Sequence, residues 1–288
     1  MKKKNILWLV VFSVVFVIGC SSYLKTQTEP KEQEKTSTQT IVIGSLGSDA
    51  QIWKHIAASE QAKQLGLNIE VKEINDGVAL NRATLNQEID VNAFQSWGYL
   101  KAFNEIHHQG LVAIATTYLE PMGLYSKKYQ TLNQLPTGAV VAIPNDAANT
   151  ARALRLLAQA QLITLPKDFN AISGTPADIL TNPKSLSFRT VQSSTIPRVL
   201  EEVDLAAIGN TEALDSGLNV LKQSLYYEKT SADNSKNINV LVTSKNDQKR
   251  KALDKLGQLY HQPFVNDYIA KNFGGTKVDV NQSVATLN

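Results

Sequence analysis

From residue 40 onward, short runs of β-branched residues alternate with longer segments in which apolar residues recur at helical spacing, and this alternation occurs in two series. It predicts βαβ units, mainly parallel sheets, and an α/β fold with two lobes. Ser48 or Asp49 is expected to cap the first helix. Predicted strands lie at residues 40–44, 68–74, 89–92, 111–117, 139–143, 188–192, 205–208 and 239–243, and predicted helices begin near residue 48 and span residues 80–86, 97–107, 150–160, 196–202, 247–261 and 263–273.

The N-terminus has the features of an export signal. Residues 1–5 are basic, residues 6–18 are apolar apart from Ser13, and Gly19 precedes Cys20, the single cysteine of the chain. The apolar run is shorter than the ~20 residues of a bilayer span, and a small residue before cysteine resembles the bacterial lipobox. We predict a lipoprotein signal peptide at residues 1–19, and a lipidated Cys20 with a flexible polar tether at residues 20–39. A secretory signal that happens to contain cysteine and an uncleaved anchor are the alternatives.

Composition excludes several classes of protein. The net charge of +3 comes from Lys2, Lys3 and Lys4, so a chain cut before Cys20 is neutral and nucleic-acid binding is not expected. One cysteine allows neither an intramolecular disulfide nor a cysteine-based zinc site. The four histidines form no i, i+4 pair, and no nucleophile-elbow, P-loop or dinucleotide-binding motif occurs. We therefore expect no metal, no cofactor and no enzymatic activity.

Ligands of open α/β sheets bind beyond the carboxyl ends of strands, so the strand-to-helix junctions are the candidate sites. At residues 143–154 a strand is followed by a polar turn and a helix, which places Asn149 and Arg152 on one side of its first turn. A helix N-terminus and an arginine together suit a carboxylate. The spacing alone favours the alternative, in which Asn149 is a cap and Arg152 is solvated.

Two further junctions are candidates. At residues 90–100, Phe94, Trp97 and Tyr99 follow a strand and are available to line an apolar pocket, although spacing alone favours a place in the helix-face core. At residues 235–243, Asn239 stands at the edge of a buried strand, where it serves either as a ligand hydrogen-bonding group or as a strand-end residue.

Three stretches at or beside these junctions carry a family resemblance. They read Asn92-Ala93-Phe94-Gln95, then Leu119-Glu120-Pro121-Met122-Gly123-Leu124-Tyr125-Ser126-Lys127-Lys128-Tyr129, and finally Leu135-Pro136-x-Gly138-Ala139-x-Val141-Ala142-Ile143-Pro144-Asn145-Asp146. From about residue 40 to residue 275 the chain resembles the NlpA/MetQ family, the lipoproteins that bind substrate for methionine ABC importers. The resemblance implies a periplasmic-binding-protein-like fold with a hinge between two lobes. We expect lobe 1 at residues 40–118 with 226–288 and lobe 2 at residues 119–225.

The same resemblance implies the roles of individual residues. Arg152 would hold the carboxylate of an amino acid, Asn149 and Asn239 would bond its backbone, and Phe94 and Tyr99 would help line the side-chain pocket. The implied partners are an amino acid like methionine or a short peptide, an ABC permease with its ATPase, and the membrane through the lipid anchor. The expected location is the bacterial cell envelope, facing the periplasm or the exterior.

The chain departs from the family pattern at the side-chain end of this pocket. The family motif F-Q-H-x-P-Y has Ser96 for its histidine and Gly98 for its proline, and Gly77 follows Asp76 where a pocket tyrosine is typical. The lost bulk implies a roomier pocket, which would suit a larger side chain or a dipeptide that contains methionine. Ser96 remains a candidate ligand-binding residue.

A second departure lies at residues 208–213, where the family motif I-N-x-N/T-Y-A reads Ile-Gly-Asn-Thr-Glu-Ala. Gly209 replaces an asparagine that bonds the ligand, and Asn210, one position later, is a candidate to replace it. Two functions remain open on these residues. One is a substrate-binding protein of an importer, and the other is a surface lipoprotein of the same fold with an adhesive or structural role.

Overall fold

The computed structural model describes residues 39–108, 110–229, 232–247 and 250–287. The chain divides into two units, Met1–Thr36 and Ser37–Asn288, and every described residue belongs to the second. The predicted signal peptide, the lipidated Cys20 and most of the tether lie outside the described residues. In the described part of the chain, no helix combines the length and apolarity needed to cross a bilayer.

Strands and helices alternate along the chain, as its apolar spacing predicts. The strands are β1 Gln39–Ser45, β2 Leu67–Glu73, β3 Val91–Ser96, β4 Leu111–Thr116, β5 Tyr118–Leu119, β6 Gly123–Tyr125, β7 Val140–Pro144, β8 Ser187–Val191, β9 Leu205–Ile208, β10 Tyr226–Tyr227, β11 Asn239–Ser244 and β12 Val278–Asp279. The helices are α1 Gly47–Ala57, α2 Glu60–Gln64, α3 Gly77–Leu85, α4 Trp97–His107, α5 Ala147–Gln159, α6 Asn210–Asp215, α7 Val220–Gln223, α8 Arg250–Tyr260 and α9 Pro263–Asn272. Short 3₁₀ helices occur at Leu132–Gln134, Pro176–Asp178, Ser193–Val199, Ala232–Asn237 and Val284–Thr286.

The first sheet has the strand order β2-β1-β3-β11-β4. Strand β1 is parallel to β2 and β3, whereas β11 is antiparallel to β3 and β4. Its core packs Ile41 and Ile43 of β1 with Trp53 of α1 and Leu253 and Leu256 of α8, all of them buried. Burial of an apolar side chain of this size contributes about 1.5–3 kcal/mol, which holds the helices on the sheet.

The second sheet has the order β10-β6-β9-β7-β8. Strand β7 is parallel to β8 and β9, and β6 is antiparallel to β9 and β10. Val141 and Ile143 of β7 pack with Leu154 and Leu157 of α5 in its core. The predicted α/β class is confirmed, but the expectation of mainly parallel sheets is wrong, because β6 and β11 enter without a βαβ crossover and run antiparallel to their neighbours.

The chain crosses from the first sheet to the second after β4 and returns after β10. Because β10 pairs with β6 at Tyr226↔Leu124 and Tyr227↔Gly123, residues 226–227 lie with the second sheet, although the sequence places them in lobe 1. The grouping of the flanking segments into lobes stays a prediction. Strand-to-helix junctions of both sheets line a common cavity.

Candidate functional site

A cavity of about 480 Å³ lies among the strand-to-helix junctions of both sheets. We call it the central cavity. Of the ligand-binding residues predicted from sequence, it is lined by Arg152, Asn149, Asn239, Phe94, Tyr99 and Ser96. Asn210 is not among its lining residues, whereas Gly77 and Gly209 are. The three junctions selected from sequence therefore meet at one place.

Arg152 reaches this cavity from α5 and is 9% exposed, so the alternative of a solvated arginine is wrong. Its Nε lies 3.0 Å from both carboxylate oxygens of Glu228, and its Nη2 lies 2.6 Å from Oε2 of the same residue. Nη2 also donates to the carbonyl oxygen of Glu120 at 2.7 Å. Within the described residues Nη1 has no hydrogen-bond partner, so two N–H donors remain for a ligand oxygen.

Asp146, rather than Asn149, caps helix α5. Its Oδ1 accepts the backbone N–H of Asn149 at 2.9 Å, and its Oδ2 accepts the side-chain Nδ2 of Asn149 at 3.1 Å. Burial raises the pKa of Asp146, although the two bonds from Asn149 oppose the rise. The contact fixes the amide of Asn149 beside Arg152 and leaves its carbonyl oxygen for other partners.

Behind the cavity lies a buried ion cluster that the sequence did not predict. Lys277 is fully buried and donates to Asp49 at 2.9 Å and to Glu120 at 2.7 Å. Burial raises the pKa of Asp49 to about 6 even though Lys277 opposes the rise. Burial also acts to raise the pKa of Glu120, but Lys277 and the bonds to this carboxylate outweigh burial and lower it.

Asn210 belongs to this ion cluster. Its Nδ2 donates to Oε2 of Glu120 at 2.9 Å and to the hydroxyl of Thr276 at 3.0 Å, and the residue is fully buried. The structure thus places Asn210 behind the central cavity, where it supports the carboxylate of Glu120. From this position the side chain of Asn210 does not contact the cavity, so it does not take the place of the family's asparagine at position 209.

Phe94 and Tyr99 form the aromatic wall of the cavity. Their rings meet edge to face, with centroids 5.6 Å apart and an interplanar angle of 76°. A Cβ atom at Gly77 would lie 2.6 Å from Phe94 and 2.8 Å from the hydroxyl of Tyr99. The two rings therefore occupy space that a side chain at 77 would need, and they offset part of the room expected from the lost tyrosine.

Ser96 and Asn239 lie next to each other at the end of the first sheet, in the register Asn239↔Ser96. The Ser96 hydroxyl caps α4 by accepting the N–H of Tyr99 at 3.2 Å. Asn239 is 6% exposed, and its side chain forms no hydrogen bond with any residue that the structure describes. Because Asn239 lines the cavity with its amide not engaged by these residues, it is a candidate for a ligand contact.

A buried amide network that sequence reasoning missed supports the aromatic wall. Asn81 accepts from Gln95 at 2.6 Å and from Asn92 at 3.1 Å. Asn92 also donates to Thr84 at 2.6 Å, which ties β3 to α3. The signal in the sequence was the pair of amides Asn92 and Gln95 on either side of Phe94 in a strand.

Glu212 is a second residue that was missed. It lines the cavity from α6 and is partly buried. Burial, with a smaller contribution from the charges of Glu120, Asp146 and Asp215, raises the pKa of its carboxyl to about 7. The signal was the glutamate that stands where the family motif has tyrosine.

Over the described ranges, no three histidine, cysteine, aspartate or glutamate side chains are grouped as a metal site requires. The polar groups of the cavity are amides, hydroxyls, carboxylates and the guanidinium groups of Arg152 and Arg198, which is a set suited to an organic ligand with both signs of charge.

Comparison with known proteins gives concordant matches. The family model described as NlpA lipoprotein matches residues 41–281. The chain is 30% identical over 252 residues to the methionine-binding lipoprotein MetQ of Bacillus subtilis (strain 168), covering 86% of this chain and 90% of that protein. It is 32% identical over 249 residues to Lipoprotein 28 of Escherichia coli (strain K12), with 86% and 90% covered.

Solved structures agree with these sequence matches. A nutrient-binding protein from Burkholderia cenocepacia bound to methionine superposes with a TM-score of 0.77 at 33% identity, covering 83% of this chain and 99% of that chain. The substrate-binding protein of a methionine transporter from Streptococcus pneumoniae gives 0.77 at 34% identity, with 84% and 95% covered. The predicted two-lobed fold of periplasmic substrate-binding proteins is confirmed.

Proposed function

Because the chain belongs to the NlpA lipoprotein family, we propose that it is the lipid-anchored substrate-binding protein of an ABC importer. It binds methionine or a related amino acid or short peptide between two lobes and delivers it to a membrane permease with its ATPase. The anchor is Cys20, and the protein works in the bacterial cell envelope as a binding protein without catalytic activity.

One observation carries the proposal, which is the convergence of Arg152, Asn149, Asn239, Phe94 and Tyr99 on the central cavity. Among the described residues, Arg152 Nη1 and the Asn239 amide have no hydrogen-bond partner, and both residues line the cavity, where they are available to polar groups of a ligand. A hydrogen bond to a charged group is worth about 1.5–3 kcal/mol. The rings of Phe94 and Tyr99 then contact the ligand side chain.

The first experiment identifies what the protein carries. The soluble form beginning at Ser22 is purified without added ligand and denatured, and released small molecules are identified by mass spectrometry. Methionine or another amino acid or peptide in the extract supports the proposal. An empty extract is followed by calorimetric titration with amino acids and dipeptides.

Absence of binding across that panel, together with no ligand-dependent compaction in solution scattering, would contradict transport. It would leave a surface lipoprotein with an adhesive or structural role as the function of this fold.

A further inference from the structure

The walls of the central cavity carry more acids than bases. The acids are Asp76, Glu120, Asp146, Glu212 and Asp215, and the bases are Arg152 and Arg198. This imbalance bears on the charge of the ligand.

Two of these groups are paired with an opposite charge and contribute little to the net charge of the cavity walls. Arg152 is neutralised by Glu228 through three close contacts, so it offers a ligand hydrogen bonds with little net charge. Glu120 is paired with Lys277 at 2.7 Å. Four carboxyls then remain against Arg198, which is exposed and forms no ion pair with the described residues.

Glu212 lines the cavity from α6, next to the position of Gly209. A Cβ atom at Gly209 would lie 2.5 Å from its Oε2, so the carboxylate occupies the space that the family's asparagine would fill. Its own backbone N–H donates to this carboxylate, and within the described residues no other residue forms a hydrogen bond or ion pair with it. Gly209 has φ of −64°, so its backbone does not require glycine, and the approach of Glu212 is the feature that depends on it.

Asn239 gives an independent sign that a polar ligand belongs beside these acids. Its side chain lines the same cavity and is 6% exposed without a hydrogen-bond partner in the described chain. A polar ligand group in the cavity would satisfy it.

Building on the proposed function, we propose that Glu212 forms a subsite for a positively charged group on the ligand side chain. The cavity therefore prefers a basic amino acid, or a short peptide with a basic side chain, to a neutral amino acid of the same size. The carboxylate of that ligand still lies on Arg152, and its second ammonium or guanidinium group pairs with Glu212.

The test compares lysine with norleucine, which differs from it by the terminal ammonium, and with methionine. Calorimetric affinities are measured on the full chain in detergent for the wild type, Glu212→Gln and the matched control Glu202→Gln, whose carboxylate is exposed and pairs with Arg189 outside the cavity. We expect wild type to bind lysine about tenfold more tightly than norleucine, Glu212→Gln to remove that preference, and Glu202→Gln to retain it.

A second variant tests the geometry. Gly209→Asn should push the Glu212 carboxylate aside and weaken lysine binding, with no further effect in the Glu212→Gln background, because the two changes act on the same contact.

Each other outcome is decisive. If wild type binds methionine or norleucine as tightly as lysine, this inference is wrong and the proposed function stands. A lysine preference that survives Glu212→Gln overturns the assignment to this residue. Failure to bind any of these ligands or dipeptides contradicts the proposed function itself.

Discussion

Arg152 contacts Glu228 and, in the proposed complex, the ligand. Substitutions at this position can separate its effect on ligand affinity from its effect on stability. Arg152→Ala removes the donors to a ligand carboxylate, so affinity should fall by about 1.5–3 kcal/mol, roughly 10- to 150-fold. It also leaves Glu228 buried without its cation, which costs about 3–5 kcal/mol of stability. Titration calorimetry and chemical denaturation measure the two effects.

Arg152→Lys is the matched control for this prediction. Lysine keeps a positive charge opposite Glu228 but cannot form the two-pronged contact. We expect it to recover part of the stability lost in Arg152→Ala while affinity stays low. A folded variant at 152 with unchanged affinity would remove this residue from the site.

Glu212 makes stability depend on pH. Because burial raises its pKa from 4.5 to about 7 in the folded protein, the folded state binds more protons than the unfolded state between these values, and stability falls as pH rises through them. Glu212→Gln removes this loss. It should stabilise the protein by about 1–2 kcal/mol at pH 8, allowing for partial solvent contact, and have almost no effect at pH 4.5.

When the stability of Glu212→Gln is compared with that of wild type, the contributions of the other cavity acids to the pH dependence cancel. Asp146 and Asp215 also have raised pKa values, and Glu120 and Arg152 face the same space, but all four are present in both proteins. Denaturation at several pH values gives the difference directly. A difference that does not change with pH would show that Glu212 titrates normally.

At the scale of elements, the sequence predicted what depends on local spacing. The helix at 97–107 and the strand at 205–208 have the observed bounds. The helix predicted at 196–202 is wrong, because Pro197 lies inside the segment and a 3₁₀ helix forms at Ser193–Val199 instead. The predicted cap of α1 is also wrong, since Leu46 precedes the helix and Asp49 points to Lys277.

What the sequence could not predict depends on contacts between distant segments. The resemblance selected Arg152, but nothing local indicates that Glu228, 76 residues away, neutralises it. Lys277 reaches Asp49 across 228 residues for the same reason. The antiparallel direction of β11 also follows from how the chain returns from the second sheet, which apolar periodicity does not record.

The amide network beneath the aromatic wall should matter more for stability than the helix cap beside it. Asn81→Ala leaves the amides of Asn92 and Gln95 short of partners, which costs about 1–3 kcal/mol for each unsatisfied group. Ser96→Ala removes one cap bond to α4 and costs about 1 kcal/mol. Urea denaturation of both variants checks the order, and equal losses would show that the network relaxes or admits water.

At the scale of the whole molecule, the site is assembled from both sheets. Phe94 and Asn239 lie on strands of the first sheet and Tyr99 on the helix that follows β3, whereas Asn149 and Arg152 follow a strand of the second sheet. A ligand that contacts both sets binds a closed arrangement better than an open one and shifts the population toward it by that difference in affinity. The proposed delivery to a permease requires such a change of shape.

We therefore expect saturating ligand to reduce the radius of gyration measured by solution X-ray scattering. Asn239→Ala keeps Arg152 and the ligand contacts from the second sheet but loses one ligand contact from the first sheet. In this variant the ligand favours closure less strongly. At equal saturation its radius of gyration should therefore decrease less than that of wild type. Glu202→Gln, whose carboxylate is exposed and pairs with Arg189 outside the cavity, is the control and should compact fully. Tight binding with an unchanged radius of gyration in wild type would show that this protein binds without closure, and a permease would then have to recognise something other than a closed form.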